Sequence, residues 1–161
     1  MTHMEIITNS VKETQSLAKK IAKELRGGEV FALIGDLGAG KTAFVQGLAQ
    51  GLGIIRPVTS PSFVILKEYQ ARTLKLYHFD FYRIGDVKSP TLRVDRLGEE
   101  IRDLGLEEIL AGKKNVVVIE WADRALEILP KEKIEIKFEI LSENARNLVI
   151  HCSEKYKYIC K

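Results

Sequence analysis

Cysteine is scarce: Cys152 and Cys160 are the two in 161 residues, and they show neither CxxC nor Cys/His ligand spacing. A disulfide framework and a zinc site are therefore not expected, whereas free thiols in a reducing compartment are. Also missing are an apolar run long enough to cross a bilayer and a charged opening segment followed by an apolar one, so the expectation is a cytoplasmic protein with no membrane partner. Basic residues barely exceed acidic ones, 25 against 22 for a net charge of +3, and no block of Lys and Arg is long enough to trace a phosphate backbone. Direct nucleic-acid binding thus has no support in composition. Repeats, low-complexity tracts and linkers are absent as well. With 45% hydrophobic residues, the chain suffices for one sizeable core, and a single domain over residues 1–161 is expected.

What is present is a succession of strand and helix patterns. "MEIIT" predicts a short strand. "SVKETQSLAKKIAKELRGG" predicts a helix with Val11, Leu17, Ile21 and Leu25 near helical spacing, Ser10 as cap, Glu13 completing a capping box, and Gly27-Gly28 as the stop. The continuous β-rich run "EVFALIG" suits a strand buried on both faces. "KTAFVQGLAQGLG" reads as a helix ending near Gly51 or Gly53, and "FVILKEYQA" with "TLKLYHFDFY" as an antiparallel hairpin turning at Ala71 to Thr73. After a charged segment with helical fragments, "NVVVIEW" predicts another buried strand, and "IEIKFEIL" with "RNLVIHC" a second hairpin. The fold class expected is α/β, a P-loop NTPase-like three-layer fold with a mixed central sheet and antiparallel hairpins.

Between the strand "EVFALIG" and the helix after it lies "GDLGAGKT", which fits G-x-x-x-x-G-K-[ST] in the strand–loop–helix context that makes the pattern meaningful. Glycines at 35, 38 and 40 let the backbone approach a ligand closely, so that successive N–H groups point at phosphate oxygens and the following helix presents its positive end. The residues expected to contact a nucleoside triphosphate are Gly35, Asp36, Leu37, Gly38, Ala39, Gly40, Lys41, Thr42 and Ala43. Lys41 would reach the β- and γ-phosphates, and Thr42 would ligate magnesium.

Such a loop needs an acidic partner at the end of a neighbouring strand. Glu120, after four apolar β-branched residues, stands where that acid belongs; alternatively it marks where a buried strand surfaces. In "VTSPSF", Pro61 keeps Ser60 extended, and Thr59 and Ser60 read either as a switch loop touching γ-phosphate or metal, or as an ordinary Ser-Pro turn. Along "YHFDFYR", alternation sends His78, Asp80 and Tyr82 to one face and Phe79, Phe81 and Arg83 to the other. Asp80 is then either a water-orienting carboxylate or the partner of Arg83 or a nearby lysine. His78 is expected to pack or hydrogen-bond rather than catalyse, and Trp121 to pack beside Glu120.

Taken in order, "GDLGAGKT", "VTSPSF", "HFDFYR", "LGLEE" and "VIEW" give the chain a resemblance to the TsaE family of small P-loop ATPases, covering about Ser10 to Pro130. The resemblance implies ATP and Mg2+ as ligands, Thr42 and Glu120 as the magnesium ligands, Ser60 as a switch-loop contact, Asp80 as a catalytic or switch carboxylate, and Lys41 as part of the catalytic set. It also implies that Ser10, Val11 and Thr14 lie against the adenine. TsaE-like proteins work with TsaB and TsaD in threonylcarbamoyladenosine modification of tRNA, so the implied partners are those two proteins, with tRNA reached only through their complex. The segment 84–103 is longer than the family resemblance leads one to expect, and reads as an ordered insertion or as a solvated excursion. Two other functions fit a P-loop. A small-molecule kinase would need a lid, for which Arg93, Arg96 and Arg102 are the candidates. A nucleotide-gated assembly module would hydrolyse only incidentally. No [NT]-K-x-D motif follows the loop, which disfavours a GTPase.

Overall fold

Continuous apolar runs suit strands with helices on both faces, and alternating runs suit strands open to solvent on one. The chain has both kinds, and its sheet is mixed accordingly. In the computed structural model, which describes residues 1–61, 65–82, 99 and 101–161, the elements are β1 (Thr2–Thr8), α1 (Val11–Ala22), β2 (Val30–Ile34), α2 (Lys41–Gly51), β3 (Leu66–Gln70), β4 (Lys75–Asp80), α3 (Leu106–Ala111), β5 (Asn115–Glu120), β6 (Ile134–Ile140) and β7 (Arg146–Cys152). Short 3-10 segments cover Ala122–Ile128 and Glu154–Tyr156. The seven strands form one sheet in the order β1-β7-β6-β2-β5-β4-β3. Its centre, β6-β2-β5-β4, is parallel. On one flank β3 runs antiparallel to β4, and on the other β7 runs antiparallel to β6 and to β1. Both predicted hairpins are present. Most of the 84–103 segment, with Arg83, Arg93 and Arg96, falls outside the described residues.

Alternation along the central strands divides the core between the two faces. Phe31 and Leu33 of β2 and Val116 and Val118 of β5 pack with Ala18, Phe44 and Leu48 of α1 and α2. Val30, Ala32, Val117 and Ile119 pack on the other side with Leu106 and Ile109 of α3 and with Ala122. Helices thus cover both faces of the parallel centre, giving three layers. The α1–α2 crossing is close because Gly47 lacks a side chain: a Cβ there would lie 2.3 Å from the Gln15 carbonyl oxygen and 2.8 Å from the Ala18 Cβ.

Local chemistry sets the ends of α1. Ser10 Oγ accepts from Glu13 N at 3.1 Å, while Glu13 Oε2 accepts from Asn9 N at 2.7 Å, one residue earlier than the expected box. The helix ends at Ala22, short of the glycine pair. After Ala22 the amides of Lys23, Glu24 and Leu25 bond three residues back, to Lys20, Ile21 and Ala22, and the Glu29 carboxylate then takes the amides of Arg26 at 2.7 Å and Gly27 at 2.9 Å, giving them a partner outside the helix. Glu29 also accepts from Tyr158 Oη at 2.6 Å, and Tyr156 Oη donates to the Gly28 carbonyl at 2.6 Å. Burial, followed by the Glu29 hydrogen bond, pushes the Tyr158 hydroxyl well above the usual tyrosine range.

The expectation of free thiols is corrected here. Cys152 and Cys160 are joined in a disulfide, with Cα atoms 6.2 Å apart. After β7 the chain turns through Glu154–Tyr156, and the two tyrosine anchors bring Cys160 back beside Cys152, a proximity that sequence spacing does not reveal. The argument for a reducing compartment goes with it. Among the described residues, no helix is long and apolar enough to cross a membrane.

Candidate functional site

Residues 35–40 link the end of β2 to the start of α2. Gly40, the N-cap of α2, has φ of 102°, a left-handed conformation that costs most residues about 1–2 kcal/mol. No side chain caps α2 and no acidic residue lies in its first turn, in contrast to α1 with its Ser10 cap. A helix start left this way suits an external anion. It opens on a cleft of about 490 Å3 lined by residues 37–43 with Ser60, Asp80, Tyr82, Glu120 and Trp121. Seven of the predicted loop residues therefore face one space, and Gly35 and Asp36 act from behind it.

Those two residues hold Lys41. Its Nζ donates to the Gly35 carbonyl and, at 2.9 Å, to that of Asp36. Its ammonium also lies 4.2 Å from the centre of the Trp121 ring. Burial lowers the Lys41 pKa from its usual value, opposed by the carboxylates of Glu120, Asp80, Asp123 and Asp36 in that order. Among the described residues this cation donates to carbonyls and faces an aromatic ring, so no carboxylate bond has to be broken for it to meet an anionic ligand.

β4 and β5 end side by side, with Asp80 directly opposite Glu120. Thr42 Oγ1 lies 2.9 Å from Glu120 Oε1 and 3.1 Å from Oε2, its single proton shared between them. Two oxygens bound at adjacent corners of an octahedral ion, at roughly 2.0–2.1 Å each, stand roughly 2.9 Å apart. The pair thus fits magnesium in donor type and spacing. Among the described residues no three His, Cys, Asp or Glu side chains gather to hold a metal by themselves. His78 Nε2 lies 2.8 Å from Glu120 Oε1. Asp80 accepts from Ser60 Oγ, and from Tyr82 N at 2.8 Å, so it ties the loop before Pro61 to the end of β4. Thr59 is directed elsewhere: its hydroxyl accepts from Lys67 Nζ at 2.6 Å.

Trp121 packs against the core as expected and also lines the cleft beside Glu120. It adopts φ of 56°, a strained conformation for a bulky residue, and its ring stands 5.1 Å from that of Tyr82. The Arg124 guanidinium lies 4.9 Å from the Trp121 ring and donates to the Tyr82 carbonyl at 2.5 Å. The indole is flanked by two cations, Lys41 and Arg124. Nothing in "VIEWADR" signals the backbone reversal that puts it there.

A second, smaller cavity beside the loop is lined by Ser10, Val11 and Thr14 together with Gly38, Gly40, Ala43, Glu143, Asn144 and Arg146. The first three are the residues assigned to the adenine. Glu143 and Asn144 of the β6–β7 turn and Arg146 at the start of β7 carry no sequence signal for this place, since a charged strand start in "NARNLVIHC" is commonplace. Arg146 Nη2 donates to the Gly38 carbonyl at 3.1 Å, fastening that turn to the loop.

Together these features define an α/β protein in which a glycine-rich loop, a buried lysine and an uncapped helix start share one cleft at the ends of the parallel strands. The particular family is TsaE: the family model described as threonylcarbamoyl adenosine biosynthesis protein TsaE matches residues 8–148, and the chain belongs to that family. It is 38% identical over 162 residues to the Bacillus subtilis tRNA threonylcarbamoyladenosine biosynthesis protein TsaE, covering 100% of this chain and 94% of that one. To the protein of the same name from Treponema pallidum it is 35% identical, covering 91% and 99%. The crystal structure of Bacillus subtilis YdiB superposes with a TM-score of 0.79 at 34% identity, over 99% of this chain and 92% of that one.

Proposed function

We propose that this chain is a single-domain P-loop ATPase that binds ATP with Mg2+ and serves tRNA threonylcarbamoyladenosine biosynthesis, acting on a TsaB–TsaD complex to support repeated turnover. Membership of the family and the names of its relatives support the pathway. The observation that carries the ATPase reading is the 2.9 Å approach of Thr42 Oγ1 to Glu120 Oε1 beside the buried Lys41, because it supplies two metal-ligating oxygens and one phosphate-binding cation at the bare start of α2.

Bound magnesium would supply neutralisation of charge on the triphosphate. The chain's own groups do the rest. Amides of the loop and of the first turn of α2 orient the phosphates, and Lys41 leaves its carbonyl partners to counter the charge of the transferring group. Thr42 and Glu120 present their oxygens on the metal side. Asp80, bonded to Ser60 and to the Tyr82 amide, links the loop before Pro61 to the cleft and can hold a water proton there. Phosphate release, measured for the protein alone and with TsaB and TsaD added, tests the reading. Release of free phosphate that rises with the partners is expected. Transfer of labelled phosphate to a metabolite would replace the ATPase with a kinase.

A further inference from the structure

His78 sits on β4 opposite Val118, two residues before the Asp80–Glu120 pair, and is fully buried. Its Nε2 is 2.8 Å from Glu120 Oε1, while its Nδ1 is buried with no hydrogen-bond partner among the described residues. A neutral imidazole has one N–H. At Nδ1 that proton would be an unpaired buried donor, costing about 1–3 kcal/mol, and Nε2 would turn a lone pair on a carboxylate oxygen. The proton therefore belongs on Nε2, donated to Glu120. A histidine kept for packing gains nothing from such a ring, since leucine or phenylalanine would fill the space without a bare nitrogen. Its polarity is spent entirely on one carboxylate, and that carboxylate is the one that meets Thr42.

We propose that His78 is a positioning residue that fixes the Glu120 carboxylate beside Thr42 Oγ1, so that the two side chains present their oxygens to a divalent cation at adjacent-ligand spacing. This rests on the ATPase reading above. Glu120 Oε1 is held by the imidazole from the β4 side and both carboxylate oxygens are met by the Thr42 hydroxyl from the α2 side. With the imidazole removed, one of the two constraints on carboxylate rotation goes, and the oxygens spread over several orientations. Partners that orient a metal ligand in this way are worth 10–100-fold in metal affinity or activity where they have been removed.

Three variants test it. His78→Leu fills similar volume with no donor; His78→Gln carries an amide NH2 that reaches the Nε2 position; His78→Asn carries one too short to reach. Mn2+ binding to the protein with ADP, followed by electron paramagnetic resonance, is compared with ADP affinity in EDTA and with the melting temperature. We expect His78→Leu and His78→Asn to need roughly 10–100-fold more Mn2+ with ADP affinity in EDTA unchanged, and His78→Gln to recover most of the loss. The inference is overturned if His78→Leu or His78→Asn binds Mn2+ like the wild type, or if Gln and Asn lose equally. Should the Leu variant fail to fold, the Gln and Asn pair still decides. If the wild-type protein itself shows no metal-dependent nucleotide binding, the ATPase reading falls, and this outcome is distinct from a wild type that binds metal with variants that match it.

Discussion

Lys41 shows how a single residue carries both legible and hidden information. Its place in G-x-x-x-x-G-K-[ST] is readable, as are those of Thr42 and Glu120, because the chemistry demands those residue types at those positions. Removing the Lys41 charge with Lys41→Ala should weaken ATP binding by about 1.5–3 kcal/mol, the scale of one charge-assisted contact, as measured by calorimetric titration. Burial lowers its pKa below the ordinary 10.5, and phosphate binding requires the ammonium. Affinity should therefore fall as pH rises through that lowered value, before the normal lysine range is reached; a titration that stays flat up to pH 10.5 would exclude it. What the sequence hides is the aromatic contact, since it needs the left-handed backbone at Trp121, for which a bulky non-glycine residue gives no local signal. Trp121 is the one tryptophan, so nucleotide binding that draws Lys41 off the ring should change the intrinsic fluorescence, and Lys41→Ala should remove the part of the change that the cation causes. For Asp80 both readings stand: it is bonded to Ser60 and to the Tyr82 amide, and Arg83, the partner in the rival reading, lies outside the described residues; the switch reading makes a definite forecast. Asp80→Asn should then leave the melting temperature and ATP binding near wild type while suppressing phosphate release; a variant that melts early yet keeps its activity per folded molecule would sink that role.

Elements were legible where one local signal dominated. Ser10 and the apolar spacing behind it announce α1, and the alternation of "IEIKFEI" announces β6 with its partner β7. The end of α1 was not legible, because the chain tightens to three-residue bonds after Ala22 and Glu29 then takes the amides of Arg26 and Gly27, for which a lone glutamate before a strand carries no signal. Strand direction was only partly so: the hairpins imply antiparallel flanks, but the order of the parallel centre depends on which helix crosses which face. The α1–α2 contact rests on small residues, and Gly47→Ala would drive a methyl to 2.3 Å from the Gln15 carbonyl oxygen. Despite the better helix propensity of alanine, we expect a loss of roughly 1–3 kcal/mol, typical of overpacking, in urea unfolding. An unchanged or higher midpoint would mean that the two helices separate without cost.

At the scale of the molecule, the ends of the sheet have different tasks. The loop, the cleft and the β6–β7 turn lie where the parallel strands finish, while the disulfide and the tyrosine anchors lie where β6 begins, with Ile134 opposite Cys152. Reduction, or Cys160→Ala, should therefore lower stability by about 2.5 kcal/mol, the loop-entropy estimate for a separation of 8 residues, and leave ATP affinity unchanged; calorimetry with and without reductant checks both. The pairing of β1 has a consequence for how the chain is made. Thr2 stands opposite Cys152 at the sheet edge, so β1 is synthesised 152 − 2 = 150 residues ahead of the neighbour it pairs with. At about 5–20 residues per second, that wait is on the order of ten seconds, during which the segment before α1 has no hydrogen-bonding mate in the native arrangement and its edge stands open to whatever else the nascent chain meets.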